Sequence, residues 1–182
     1  MSLGRARSIA LVGLEAVPLT VEAHVGSGLP GLHIIGAAGE AAGHAANRVR
    51  TALAAAGWPL PQRKALVSLS PADVPKAGAR FDLAMALALA QTQGAVPEGA
   101  LDGVAAVGEL GLDAAVKPVA GVLPSVAQLG GAVADRVLVA DGNAAEATLA
   151  AGAAVLPVAD LSEAIAVTAG RQAPRPAPAP AT

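Results

Sequence analysis

The chain contains no cysteine and no tyrosine, and its only large aromatic side chains are Trp58 and Phe81. Without cysteine there can be no disulfide, no thiolate-bound zinc and no thiol nucleophile, which excludes a small disulfide-stapled secreted scaffold. The near-absence of aromatics removes the usual stacking platforms for exposed bases and the usual lining of an open ligand cleft. Nor does any apolar run reach the roughly 18 residues that cross a bilayer. The richest run, residues 83–90, stops at Gln91, and Glu15 interrupts the apolar N-terminus too early for a signal peptide. These absences predict a cytoplasmic protein with no membrane partner. A phosphate-binding loop of the Gly-x-x-x-x-Gly-Lys-Ser/Thr type is also missing, because the chain has no Gly-Lys pair at all.

What is present is small and apolar. Of 182 residues, 54% are hydrophobic, and that bulk is alanine, valine and leucine. A chain of this length buries roughly two-thirds of its unfolded surface, enough for one domain with a core of its own. Small side chains suit helices packed closely on a sheet. The net charge of −2 exerts no global pull on nucleic acid, so any such role must come from a local patch.

The pattern along the chain alternates between strand and helix signals. Residues 7–12 read as a strand, and at 19–25 apolar residues alternate with Thr20, Glu22 and His24 as in a strand with one buried face. A third short strand is predicted at 32–35, a helix at 40–56 stopped by Gly57 and Pro59, a strand at 64–69 and an apolar helix at 82–93. Residues 104–108 and 115–119 read as a hairpin around Gly111-Leu112-Asp113, followed by a helix at 122–129 ending at Gly130-Gly131. The last third predicts strands at 136–140 and 154–158, with helices capped by Asn143 and Asp160 and running to Ala151 and Ala169. The fold class is therefore α/β (α+β), a mixed β-sheet packed against helices, over residues 1–170. Residues 171–182 alternate proline and alanine and predict a mobile or extended spacer whose removal leaves the melting temperature nearly unchanged.

Candidate sites are few. Gly36-Ala37-Ala38-Gly39 lies between a strand and a helix, where backbone amides can hold an anion, but it lacks a lysine. His24, His33 and His44 have no metal-ligand spacing and no cysteine partners, so no metal site is predicted. No Gly-x-Ser-x-Gly elbow occurs, and Ser68 and Ser70 merely precede Pro71. The cations stand out more. Arg48 and Arg50 lie on the first helix, Arg63 and Lys64 open the next strand, and Lys76 and Arg80 follow it. The plain interpretation is solvated charge on a helix face and loops. The functional alternative is a contact surface for nucleic acid or for a neighbouring subunit. A nucleic-acid surface requires all six to converge on one face. A subunit contact would instead pair Arg80 and Asp82 with opposite charges at an interface. The negative net charge and scarce aromatics favour assembly.

Longer strings carry a resemblance. Ala10-Leu11-Val12-Gly13-Leu14-Glu15, Gly28-Leu29-Pro30-Gly31, Pro61-Gln62-Arg63-Lys64 and Leu69-Ser70-Pro71-Ala72-Asp73-Val74-Pro75-Lys76 occur in order, followed by Arg80-Phe81-Asp82-Leu83-Ala84-Met85 and Gly108-Glu109-Leu110-Gly111-Leu112-Asp113. Together they resemble the opening of magnesium-chelatase-like AAA+ ATPases of the ComM/YifB group, over nearly all of residues 5–170. The resemblance implies a domain similar to the proteolytic domain of Lon, with the fold of the second domain of ribosomal protein S5. It further implies a homo-oligomeric, hexameric parent that processes DNA, with ATP and Mg held in an AAA+ module beyond the Pro/Ala spacer and no cofactor in this chain. Arg80 stands where the Lon nucleophilic serine would be, and Leu123, after Ala120-Gly121, stands at the position of its lysine. A Ser-Lys dyad needs a hydroxyl beside an amine that takes its proton, so peptidase activity is not expected. One departure from the family pattern is the Gly36–Gly39 stretch, where Gly-Leu-Pro-Asp is usual. Another is His44-Ala45-Ala46, where Glu-Ser-Arg is usual.

Overall fold

A computed structural model describes residues 2–76, 78–129, 133–150 and 152–180. Strand β1 (Ser2–Val12) turns at Gly13 into β2 (Glu15–Gly26), and β3 (Gly31–Ile35) leads to helix α1 (Gly39–Ala55). Strand β4 (Lys64–Ser70) precedes α2 (Asp82–Thr92), β5 (Val104–Val107), β6 (Glu109–Leu110) and β7 (Val116–Lys117). Then come α3 (Val122–Leu129), β8 (Arg136–Ala140), α4 (Asp141–Ala147), β9 (Ala154–Val158) and α5 (Leu161–Thr168). Seven strands form one mixed sheet in the order β3-β4-β2-β1-β5-β8-β9. Strand β2 runs antiparallel to β1 and β4, whereas β3–β4 and β1–β5–β8–β9 pair in parallel.

Side-chain alternation divides the sheet into two regimes. In β8, Leu138 and Ala140 join the larger core while Val137 and Val139 join a second one, and β5 divides likewise between Ala106 and Ala105/Val107. Both faces of that half are therefore covered, the second by α3 through Val122 and Val126 and by α4 through Ala144 and Ala147. In β2 only Leu19, Val21, Ala23 and Val25 are buried, so the β3-β4-β2 half is covered mainly on one face, while α3 reaches the start of β2 on the other through Ala16. Helix α2 lies at the centre, with every residue from Asp82 to Ala90 buried. Its alanines allow backbone contact with the sheet. A Cβ at Gly4 of β1 would stand 1.8 Å from the Ala88 carbonyl oxygen, so only glycine fits there.

Several elements differ from the sequence expectations. Strand β1 begins at Ser2, because residues 2–12 pair with residues 15–25 of β2. The Gly111–Asp113 turn closes a hairpin, with Gly111 N–H donating to Ala115 O at 2.9 Å, but its strands are β6 and β7. Val104–Val107, all four residues buried, is instead inserted in parallel between β1 and β8. Asn143 does not cap α4, which starts at Asp141 with Ala140 as its N-cap. The expected ends at Gly130-Gly131 and Ala151 lie outside the described residues. Asp160 does cap α5, its carboxylate accepting from Glu163 N–H at 2.8 Å.

The Pro/Ala segment carries no helix or strand through residue 180, yet it is tied to the domain. Arg175 donates to Glu163 at 2.7 and 2.8 Å and to Asp141 at 2.7 Å. Arg171 donates to Ala95 O at 3.1 Å, and Ala177 packs against the second core. No helix among the described residues is long and apolar enough to cross a membrane.

Candidate functional site

The six cations do not converge on one face. Two point inward and are structural. Arg48, reaching from α1, donates from Nε to Asp82 Oδ2 at 2.7 Å and from Nη2 to Oδ1 at 3.2 Å, a two-pronged pairing. Asp82 is fully buried at the start of α2 and also accepts from Leu110 N–H at 3.2 Å, joining α1, α2 and β6. Burial pushes the Asp82 carboxyl above its ordinary value, against the pull of Arg48 and Leu110 N–H. The hydrogen bond to Asp82 raises Arg48 above its own ordinary value. Asp82 is thus neutralised inside the chain rather than left for an interface.

Arg80 is also internal, with 9% of its surface exposed, but it has no carboxylate partner among the described residues. Its Nη2 donates to Ser125 Oγ at 2.8 Å and its Nη1 to Ala120 O at 3.4 Å, while Nε has no partner. Ser125 Oγ in turn donates to Gly121 O at 2.6 Å. Burial alone lowers the Arg80 pKa, since nothing opposite in charge offsets desolvation. This corner brings Arg80 to Ala120, just before α3, and to Ser125 in the first turn of α3. Its groups are a guanidinium and a hydroxyl that donates to a carbonyl, with no amine or imidazole hydrogen-bonded to them among the described residues to accept a proton. Lys76 is elsewhere occupied, donating to Pro71 O at 2.6 Å and Val74 O at 2.9 Å within its own loop.

Arg50, Arg63 and Lys64 face solvent at the β3/β4 end of the sheet. Arg50 and Arg63 line one cleft of about 140 Å3 together with Pro30, Gly31, Leu60, Pro61 and Gln62. The stem of Lys64 runs beside it, against Gly28.

The histidines lie on strands or a helix, His33 and His44 exposed and His24 half-buried, and no group of three metal-ligating side chains occurs among the described residues. The Gly36–Gly39 loop does lead into α1, whose N-cap Ala38 offers no side-chain cap. The structure also shows cross-links that the sequence did not announce. Asn143 accepts from Val119 N–H and donates to Val119 O, both at 2.9 Å, locking α4 to the segment before α3. Ser8 Oγ, fully buried, donates to Ala106 O at 2.7 Å between β1 and β5.

Comparison with known proteins places this sequence. Residues 21–143 match the family described as subunit ChlI of Mg-chelatase. An uncharacterised protein of Mycobacterium tuberculosis is 41% identical over 126 residues, covering 69% of this chain and 25% of the relative. YifB of Escherichia coli is 38% identical over 128 residues, or 70% of this chain and 25% of YifB. The competence protein ComM of Haemophilus influenzae is 35% identical over 126 residues, or 69% and 25%. The matched part of the chain thus spans about a quarter of the length of these relatives. The chain belongs to the magnesium-chelatase-like family, in its ComM/YifB group.

Proposed function

We propose that this chain is the non-catalytic N-terminal assembly and regulatory domain of a ComM/YifB-type AAA+ ATPase, with the S5 domain 2-like, Lon-like fold that the resemblance implies. ATP and Mg are then bound by an AAA+ module outside these residues, and the whole acts as a cytoplasmic homo-oligomer on DNA in recombination or transformation. The observation that carries the non-catalytic part is the Arg80 corner. Two segments that resemble those bearing a Ser-Lys dyad meet there. They present a buried guanidinium on Ser125 instead of a nucleophile beside a base. The sequence offers no lysine-bearing phosphate loop, so the triphosphate chemistry belongs elsewhere. The regulatory part is supported by the anchored segment 171–177, which fixes how the chain leaves the domain.

In the longer protein this reading implies, deleting residues 1–170 should leave ATP hydrolysis measurable and weaken ring assembly in sedimentation velocity. Loss of ATP binding together with the deleted domain, while the ring stays intact, would overturn the assignment.

A further inference from the structure

The cleft between α1 and the β2–β3 loop is assigned no role by the family match, and its chemistry is specific. Its walls are rigid. Pro59 and Pro61 fix the backbone of the Trp58–Arg63 loop, Trp58 N–H donates to Leu53 O at 2.8 Å, and Gln93 donates to Trp58 O at 3.1 Å. Opposite stand Pro30 and Gly31, where Gly31 has a φ of +154° that side-chain-bearing residues rarely adopt. A Cβ on Gly31 would meet His33 Nε2 at 3.4 Å, which places that imidazole beside the cleft.

The charges here are uncompensated. Arg50 makes one side-chain hydrogen bond, to the neutral Asn47 Oδ1 at 3.0 Å. The side chains of Arg63 and Lys64 have no hydrogen-bond or ion-pair partner among the described residues. Between residues 23 and 72 the sequence holds one carboxylate, Glu40. It sits in the first turn of α1, ten residues from Arg50, or about 15 Å at ~1.5 Å per residue. Arg48, the other cation of this stretch, is taken by Asp82. Elsewhere the arginines with nearby acids pair with them, as Arg5 does with Glu22 and Arg175 with Asp141 and Glu163. Two guanidinium groups and an amide thus line one stiff hollow, with the lysine next in the chain after Arg63.

We propose that this cleft binds a tetrahedral phosphate oxyanion, held between the guanidinium groups of Arg50 and Arg63, with Gln62 as a further donor and Lys64 adding field. The volume of about 140 Å3 is room for roughly four or five waters at ~30 Å3 each, which suits one phosphate group and its hydration. Guanidinium forks match phosphate oxygens pairwise, which a lysine cannot do. No aromatic side chain lines the hollow, so recognition rests on the phosphate itself, whether it is free, on a nucleotide or in a polynucleotide backbone. The inference is independent of the proposed assembly role, and its failure would leave that role standing.

The test is a 15N NMR titration of the full chain with sodium phosphate, against sodium chloride at matched ionic strength. Saturable shifts at the Arg50 and Arg63 side-chain Nε–H and the Gly31 amide are expected, with affinity in the millimolar range. They should weaken at least tenfold in Arg63→Ala and in Arg50→Ala, and persist in Arg175→Ala, which removes a cation elsewhere. Arg63→Lys should fall between, since it keeps the charge and loses the fork. Arg63 makes no side-chain bond, so its alanine variant keeps the fold even if the Arg50 variant does not. A nucleoside monophosphate and a short oligonucleotide, each competing with phosphate, identify the source by which saturates the same residues at lower concentration. Shifts that chloride reproduces, or that survive both alanine substitutions, overturn the proposal.

Discussion

The two inward-pointing arginines, Arg48 half-buried and Arg80 buried, should respond differently to the same substitution. Arg48→Met removes the partner of a fully buried carboxylate, leaving Asp82 with only the Leu110 N–H. Stranding a buried charge in this way costs about 3–5 kcal/mol. For a chain of this size that is a fall in melting temperature of roughly 10 °C, at ~2–4 °C per kcal/mol. Arg80→Met removes a guanidinium that is buried without a counter-charge and with one donor unsatisfied. Filling its place with an apolar stem of similar length should change stability by less than about 1 kcal/mol, or raise it. The Arg48 variant carries a further signature. Without Arg48 the carboxyl of Asp82, already raised by burial, rises further. The native state then holds more protons than the unfolded chain, whose aspartate titrates near ~3.9, so stability climbs as pH falls from neutrality towards that value. Urea melts of both variants at pH 5 and pH 8 measure this directly. Equal losses for the two arginines, or an Arg48 deficit that ignores pH, would refute the charge-burial reasoning.

Other outcomes follow from the packing and the tail. Gly4→Ala should abolish stable folding or cost several kcal/mol, because its Cβ meets backbone of α2 that cannot move aside; thermal melts check this. Leu87→Ala, at a fully buried position in α2, should cost about 2–5 kcal/mol in a urea melt. Truncation after Gly170 should lower stability by about 1 kcal/mol at low salt and less at high salt, since it removes a largely exposed Arg175 network. Acidification should free the same segment. The Arg175 hydrogen bond holds Glu163 below its ordinary value, so the contribution is complete above ~4.3 and fades as pH falls below it. 15N relaxation of residues 172–177 between pH 7 and pH 3 would show the release.

Strong local signals in the sequence led to the right elements, and non-local pairings did not. The alternation at residues 19–25 and the all-apolar run at 83–90 were legible because side-chain period and burial coincide there. The start of β1 was hidden, because its buried face carries Gly4, which gives no apolar signal. Val104–Val107 was assigned to the wrong neighbour. Its fully buried pattern calls for a strand covered on both faces, yet nothing local says that β8 and not the adjacent hairpin will pair with it. The cations were legible as a group, but their separation into buried pair, buried orphan and open cleft was not. That separation depends on Asp82 and Ser125, residues distant in sequence and ordinary in type. Composition alone pointed to a mobile or extended spacer after Gly170 and carried no sign of its anchoring, because a single arginine meeting two distant carboxylates decides that.

Under the proposed function, ATP is bound and hydrolysed outside these residues. Titration calorimetry of the purified chain with MgATP tests it most directly. No saturable heat attributable to ATP is expected beyond what matched inorganic phosphate produces. Micromolar, ATP-specific binding would contradict it.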